Sequence, residues 1–412
     1  MAGWEAVAQA GQRDPGFDGW RNSLLDQAVN DLGINRLGLA VRSGSENSSD
    51  YYAGVPTTET VESRCQSYLT VNDNSDPRII ASGGFHFSEI DTTVVKVVLP
   101  MKQRLESRGE HLFVNLTYVS FLRQCSTIPP YVHREPSEYA EFMLAVFLHL
   151  RDTYGLVPDA VEVILEPDAW DTWTGTMIGR AIVATAARLS SAGFHPTFVA
   201  PSTADLGRGL QYIDDMYNVP GVQPLVGELA YHRYGVTSDD GLAGLAQRAA
   251  VHGARTSMLE HIGSGVDDLY TDLTIGQVSA WQQFALATPG EGDAGGRYYA
   301  IINGQAVLAS RTRYLRQYFR YVRMGARRVA ARSDSPELRP VGFQNADGQI
   351  AVVMHADRAG AIELRGLRPG RYGMSITTLT ATGAELSPVV AGSDGVLRLT
   401  APAVGVLTVY HQ

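Results

Sequence analysis

The sequence predicts an α/β fold: a (β/α)8 barrel over residues 1–325, then an antiparallel β-sandwich over 326–412. Three observations carry this. Strand-like apolar runs alternate with helix-period segments from the start of the chain to about residue 323. Eight such units suit a closed barrel with outer helices better than an open sheet. After Gly325 the helical period disappears, and short β-rich runs separated by turns such as Asp347-Gly348 and Pro369-Gly370 take over.

Taken in order, the opening Gly3-Trp-Glu-Ala-Val-Ala8 is short and apolar and counts as the first strand. A helix follows from about Trp20 to Leu32, with Leu24, Leu25, Ala28, Val29 and Leu32 on one face. Leu37-Gly-Leu-Ala-Val41 is the second strand and ends at Arg42. Loop-like chain then runs from Ser43 to about residue 90, long for a plain connection and suited to walling one end of a cleft. Beyond it, helices near 92–107, 136–153, 175–192, 205–217, 240–253 and 271–281 alternate with six strands. These strands are 111–117, 161–165, 197–200, 224–231, 256–259 and 283–287, and a last helix spans 311–323. The sandwich runs are 349–354, 361–364, 372–378, 396–400 and 404–410. An open doubly wound sheet is the alternative. It brings a glycine-rich phosphate loop, and no GxGxxG occurs; neither lysine, Lys96 or Lys102, follows a glycine as a Walker loop requires.

Composition narrows the function classes. Apolar residues make up 44% of the 412 and charged residues 19%, as in a globular chain with a large core. A net charge of −9 argues against a nucleic-acid partner. No apolar run reaches the roughly 18 residues of a membrane span, and no secretory signal opens the sequence. Cys65 and Cys125 pair only if the fold brings them together; two isolated thiols are equally open, so no redox compartment follows. There is no HExxH, no Cys/His cluster and no GxSxG, which argues against zinc and against a serine nucleophile. The arginines from Arg311 to Arg332 read as a helix face toward solvent and the sandwich.

The candidate chemistry lies in two carboxyls. Val161-Glu-Val-Ile-Leu-Glu-Pro-Asp168 is an apolar, β-branched run that stops at Glu166-Pro167, because proline has no N–H to continue a ladder. Thr256-Ser-Met-Leu259 ends the same way at Glu260. In a barrel, strand C-termini form the reactive mouth. A carboxylic acid that protonates a departing oxygen, facing a carboxylate that attacks or activates water, is the equipment of glycosidic bond hydrolysis. A separation of about 5 Å gives retention of configuration, and roughly 6.5–9.5 Å gives inversion. A single strand-end glutamate is more often a solvated rim residue, but this pair has aromatic company. Trp170 and Trp173 follow Glu166, Tyr231-His-Arg-Tyr234 ends the sixth strand, and Trp281 precedes the eighth.

The layout resembles clan A of the glycoside hydrolases, and most closely family 30. Glu166-Pro167 falls where the clan's acid/base glutamate ends strand four in Asn-Glu-Pro, and Glu260 where its nucleophile ends strand seven. Gly3-Trp-Glu-Ala resembles the glycine-rich end of strand one, and Arg42 an arginine ending strand two. His232-Arg-Tyr234 is similar to a His-x-Tyr ending strand six, whose tyrosine contacts the nucleophile. Ser279-Ala-Trp281 with Phe284-Ala-Leu286 resembles the approach to strand eight. Phe319-Arg-Tyr-Val-Arg-Met-Gly325 and Val341-Gly-Phe-Gln-Asn-Ala-Asp-Gly348 are similar to the family's passage into its sandwich.

The resemblance implies a retaining hydrolase of β-linked glycosides or polysaccharides. Glu166 is then the protonated acid/base and Glu260 the ionised nucleophile, held by Tyr234 and Arg42. Arg42, Trp170, His232, Tyr234, Trp281 and Phe284 are the candidate carbohydrate-binding residues. No metal or cofactor is implied, and the setting is secreted or extracytoplasmic. The sequence departs from the pattern in three ways. Leu165 replaces the Asn that binds a sugar hydroxyl, and Phe284 stands where a tryptophan often stacks. The chain also opens at the end of strand one, with no earlier strand found to join the sandwich. Leu165 motivates an alternative: a non-catalytic glycan-binding protein on the same fold.

Overall fold

The computed structural model describes residues 1–54, 60–125, 131–290 and 296–412. Its core is a closed parallel barrel of β1 (Gly3–Val7), β2 (Arg36–Arg42), β3 (Phe113–Val119), β4 (Ala160–Glu162), β5 (Thr197–Thr203), β6 (Val226–His232), β7 (Arg255–Glu260) and β8 (Ala280–Pro289). β1 pairs with both β2 and β8, so the sheet has no free edge within the barrel. Apolar side chains fill the space between strands and helices, with Trp4, Leu39, Leu116 and Leu286 all fully buried.

Most of the helices sit where the apolar period places them; α2 lies in the stretch read as loop. They are α1 (Phe17–Asp26), α2 (Val61–Gln66), α3 (Ser88–Thr93), α4 (Leu99–Glu106), α5 (Pro136–Tyr154), α6 (Gly175–Ser191), α7 (Leu206–Tyr217), α8 (Asp239–His252), α9 (Val266–Thr274) and α10 (Thr312–Phe319). Side-chain caps fix several starts: Thr174, Asp205 and Ser238 accept from the backbone N–H groups of Met177, Arg208 and Gly241. α1 continues as a wider π-helical turn over Gln27–Leu32 and stops at Gly33, whose φ of +99° suits only glycine comfortably.

Several boundaries differ from the sequence reading, each for a physical reason. β4 is only three residues long. Val163 and Leu165 still donate to Val199 and Tyr118 carbonyls, but the chain is leaving the regular ladder, and Glu166 takes a left-handed φ of +49°. The helix expected near 271–281 spans Val266–Thr274, because the chain turns at Gly276 and Gln277, the latter at φ +53°. Trp281 therefore lies inside β8, which begins at Ala280, three residues before the expected strand start. β1 is present as a whole strand, so Gly3-Trp-Glu-Ala sits at its beginning and Val7 and Gln9 at its mouth.

The stretch 43–90 is a folded excursion. It contains α2, short 3-10 turns and a β-bridge between Glu46 and Phe85, and it adds Arg64 and Tyr68 to a cavity at the barrel mouth. Residues 55–59 of this stretch lie outside the described residues. β9 (Arg297–Ile302) and β10 (Gln305–Leu308) form a hairpin that extends β8.

The C-terminal region carries β11 (Arg327–Val329), β12 (Leu338–Gln344), β13 (Ile350–Ala356), β14 (Gly360–Arg365), β15 (Gly370–Thr377), β16 (Ala384–Ala391), β17 (Val396–Ala401) and β18 (Gly405–His411). A six-stranded antiparallel sheet, ordered β11-β12-β13-β18-β15-β16, accompanies the pair β14-β17. α10 joins the two regions. Phe319 stacks on Trp4 of β1 at 4.3 Å, Tyr318 bonds His355 of β13 at 2.9 Å, and Arg316 grips Asp31 beside α1. The arginine-rich segment thus faces partners: Arg313 donates to the Thr378 and Ala381 carbonyls, and Arg323 pairs with Glu110.

Candidate active site

Three strand ends converge at the mouth. His232 closes β6 and is fully buried, with its Nδ1 2.8 Å from Glu166 Oε1. Glu260 closes β7 and accepts from the Tyr234 hydroxyl at 2.9 Å. Glu166 is held from behind: its N–H donates to the Ser202 carbonyl, and Pro167 offers no competing donor. Asp168 ties the same loop to the end of β5 by accepting from the N–H groups of Ala204 and Asp205, at 2.8 and 3.2 Å. A side-chain oxygen of Glu166, one of Glu260 and a ring nitrogen of His232 all lie within 4.8 Å of one another.

The trio is buried, and its protonation reflects that. Burial pushes Glu260 up to about 7. The His232 charge and the Tyr234 hydrogen bond oppose the rise, and the charges of Glu166 and Glu162 add to it. Burial pulls His232 down, but the hydrogen bond to Glu166 and the charges of Glu166, Glu260 and Glu162 outweigh it and raise the ring to about 9. The free site thus departs from an expectation of a fully ionised Glu260 at neutral pH. Burial is the first cause, and the nearby imidazolium and the Tyr234 hydroxyl do not offset it.

Beside Glu260 opens a cavity of about 390 Å3. Arg42, Arg64, Tyr68, Phe121 and Phe284 wall it, and Leu165 faces it. Gly38, Glu162 and Gln282 line it from the barrel interior. A larger groove, about 1020 Å3, lies between β12 and β14 in the sandwich. The chemistry favours the smaller cavity, because Glu260, which meets Glu166 and His232 at the mouth, lines it.

The sequence-predicted residues sort as follows. Glu166 with His232 and Glu260 with Tyr234 form two hydrogen-bonded pairs, which come together at the mouth. Arg42 and Phe284 line the cavity. Arg42 bonds Ser67 Oγ at 2.8 Å, pairs with Glu89 at 3.2 Å and lies over Tyr68, so its contacts are with the long excursion. Trp170 is a half-exposed rim residue, with its ring centroid 6.1 Å from that of Phe121. Trp281 does not belong to the site. Side chains alternate along a strand, so Gln282 and Phe284 point into the barrel and Trp281 points out. It is fully buried against Phe319 and donates its indole N–H to Asp272 at 2.8 Å. Trp173 is likewise core, edge-on to Tyr139.

Tyr68, Arg64 and Phe121 were missed, since no period marks residues on irregular connections. A disulfide fixes them: Cys65 and Cys125 are bonded, with Cα atoms 5.6 Å apart, joining α2 to the turn after β3. Among the described residues, Glu166, His232 and Glu260 also form the group whose donor atoms could hold a metal ion. One carboxyl already spends an oxygen on the His232 ring nitrogen and the other an oxygen on Tyr234.

No protein-family model matches the sequence, and no curated protein matches it. Solved structures do match over its whole length. A family 30 endoxylanase from Clostridium papyrosolvens is 15% identical, with a TM-score of 0.70, covering 100% of this chain and 96% of that one. The catalytic domain of the family 30 xylanase C from Talaromyces cellulolyticus is 12% identical, with a TM-score of 0.71, covering 100% and 97%. An endo-β1,6-glucanase is 14% identical, with a TM-score of 0.66, covering 100% and 92%. The fold of this chain, barrel and sandwich together, is therefore that of clan A glycoside hydrolases and most like family 30.

Proposed function

We propose that the protein is a retaining glycoside hydrolase acting on β-linked glycosides or polysaccharides. The observation that carries this is the approach of Glu166 and Glu260 across the barrel mouth, with side-chain oxygens inside the 4.8 Å group that includes His232. Such spacing suits direct attack and leaves little room for an intervening water. Glu260 Oε attacks the anomeric carbon as the bond to the leaving oxygen breaks. The proton for that oxygen comes from Glu166, whose Oε1 lies 2.8 Å from His232 Nδ1. In the second step water attacks the anomeric carbon, gives its proton back to Glu166 and releases Glu260. Tyr234 donates to Glu260 while it is free. Neither step calls for a metal or an organic cofactor.

A second reading, a non-catalytic glycan-binding protein, has one observation in its favour. Leu165 faces the cavity and offers no hydrogen bond to a sugar. The test is reducing-end release from β-glucans, xylans, galactans and aryl β-glycosides, with wild type beside Glu260→Gln. We expect release by wild type and a loss of at least about 10³-fold in the variant, as for removal of a catalytic nucleophile. Binding without release by wild type supports the second reading.

The barrel, 1–325, would carry the chemistry, and the sandwich, 326–412, would support it through α10. The disulfide favours a secreted or extracytoplasmic setting. No described helix is long and apolar enough to cross a membrane.

A further inference from the structure

Below the carboxyl pair the barrel interior is polar. Arg36 is fully buried and bonds Glu5 at 2.7 Å and Glu228 at 2.7 and 3.2 Å. Glu162 lies on the cavity side of this cluster. Its Oε2 accepts from Asn115 at 3.1 Å and from Thr117 at 2.8 Å. Its Oε1 has no partner among the described residues, although the residue is 3% exposed. Gln282 repeats the pattern: its amide N–H donates to the Leu259 carbonyl, and its Oε1 is buried and unpartnered. Both side chains line the cavity that Glu260 lines. Gly38 lies alongside. A Cβ there would sit 3.2 Å from Glu5 Oε1, 3.5 Å from Gln282 Oε1 and 3.7 Å from Thr117 Oγ1, so no side chain of β2 stands against these oxygens at this position.

A buried acceptor without a donor costs free energy, on the order of the desolvation of that group. Two of them, on side chains that line one cavity, make its floor complementary to a ligand that brings donors. Leu165 removes the amide expected on the wall, whereas Glu162, three positions earlier in the same run, supplies an acceptor on the floor. We propose that Glu162 is a substrate-binding residue, and that its Oε1, with Gln282 Oε1, receives hydrogen-bond donors from the sugar seated beside Glu260. The donor is a hydroxyl or, on an amino sugar, an ammonium. The inference rests on the hydrolase reading for the identity of the ligand as a sugar.

The experiment is calorimetric binding to the Glu260→Gln protein, with and without Glu162→Gln. The probes are methyl β-glucoside, methyl β-galactoside, methyl β-xyloside and methyl 2-amino-2-deoxy-β-glucoside. We expect at least one to bind, and Glu162→Gln to weaken it by about tenfold or more, as for loss of one hydrogen bond to a charged partner. The melting temperature should be unchanged or higher, since a partly satisfied buried carboxyl is replaced by a neutral amide. A loss confined to the amino sugar identifies the ammonium; an equal loss across the panel identifies a hydroxyl. Unchanged binding overturns the inference and leaves the hydrolase reading intact. Weakening that comes with a melting temperature lower by more than about 5 °C assigns Glu162 a structural role and overturns it as well. Binding of no probe overturns it too, and the hydrolase reading is then decided by reducing-end release alone. If Glu162→Gln does not fold, Glu162→Asp, which withdraws the carboxyl by one methylene, is read by the same criteria.

Discussion

At the scale of single residues, the site is a problem of proton placement. Glu260 must be ionised to attack, and burial holds it up at about 7. Glu166 must deliver a proton, and its partner His232 is raised to about 9. These values belong to the coupled trio and appear as two limbs of one pH profile. kcat/KM should therefore rise with pH through about 7, as Glu260 loses its proton, and fall through about 9, as His232, the partner of Glu166, loses its own. Tyr234→Phe removes a hydrogen bond that holds Glu260 down, so its acid limb should move to higher pH, with kcat/KM at pH 7 reduced by about tenfold or more. Initial rates on an aryl glycoside across pH 5–10 test both; an acid limb unmoved by the substitution would remove Tyr234 from this role. The carboxyls were legible in the sequence because a strand end is marked by chemistry: an apolar run, then a charge, and after Glu166 a proline. Trp281 misled because an aromatic near a strand does not reveal its parity, and one position decides between cavity and core.

At the scale of elements, the long excursion between β2 and α3 was legible only as a length. It carries no period, and its shape depends on a covalent bond that the sequence left open. Cys65 and Cys125, 60 positions apart, bind α2 to the turn after β3. Arg64 and Tyr68 follow from one side of that bond and Phe121 from the other, and together they wall the cavity. The proposed nucleophile, Glu260, closes β7, elsewhere on the ring. Replacing both cysteines by serine should thus raise KM several-fold while kcat stays within about twofold, since positioning of substrate is loosened and the reacting groups are not. Stability should fall by about 2–4 kcal/mol, the usual contribution of a disulfide closing a loop of this size. Equal KM values for the oxidised and serine proteins would show that the wall holds without the bond. Other elements escaped the sequence reading for local reasons. β16 contains Pro388, which reads as a break but is tolerated on the edge strand of its sheet. β9 and β10 lie beyond an end of β8 that was placed too early.

At the scale of the whole molecule, the eightfold alternation was legible because each helix buries one face on the strands, and that face repeats in the sequence. The polar barrel interior was not, since Glu5, Arg36, Asn115, Glu162 and Glu228 sit inside strand runs that read as apolar. That interior should set the pH dependence of stability. Burial raises Glu5 to about 7 against the opposing charge of Arg36, and burial raises Asp272 to about 6 against that of Arg233. Glu260 and His232 are raised as well, to about 7 and about 9. In each case the folded chain holds its proton more tightly than the unfolded chain. The stability these groups give is complete below their ordinary values and is lost as pH rises through about 6, 7 and 9. The amino group of Met1, lowered by burial to about 6, acts in the opposite sense between about 6 and 8. On the acid side, the hydrogen bond from His355 and the charge of Arg339 lower Asp267 to about 2, so its contribution is present above the ordinary carboxyl range and lost as pH falls toward that value. Three raised carboxyls and a raised histidine outnumber one lowered amine, so the melting temperature should peak between about pH 4.5 and 6 and decline to pH 9. Scanning calorimetry from pH 4 to 9 tests this, and Glu5→Gln should flatten the decline between about pH 5 and 7. A melting temperature that holds or rises from pH 5 to 9 would mean that the buried carboxyls are neutralised by something other than protons, with the unpartnered oxygens of Glu162 and Gln282 as the place to look.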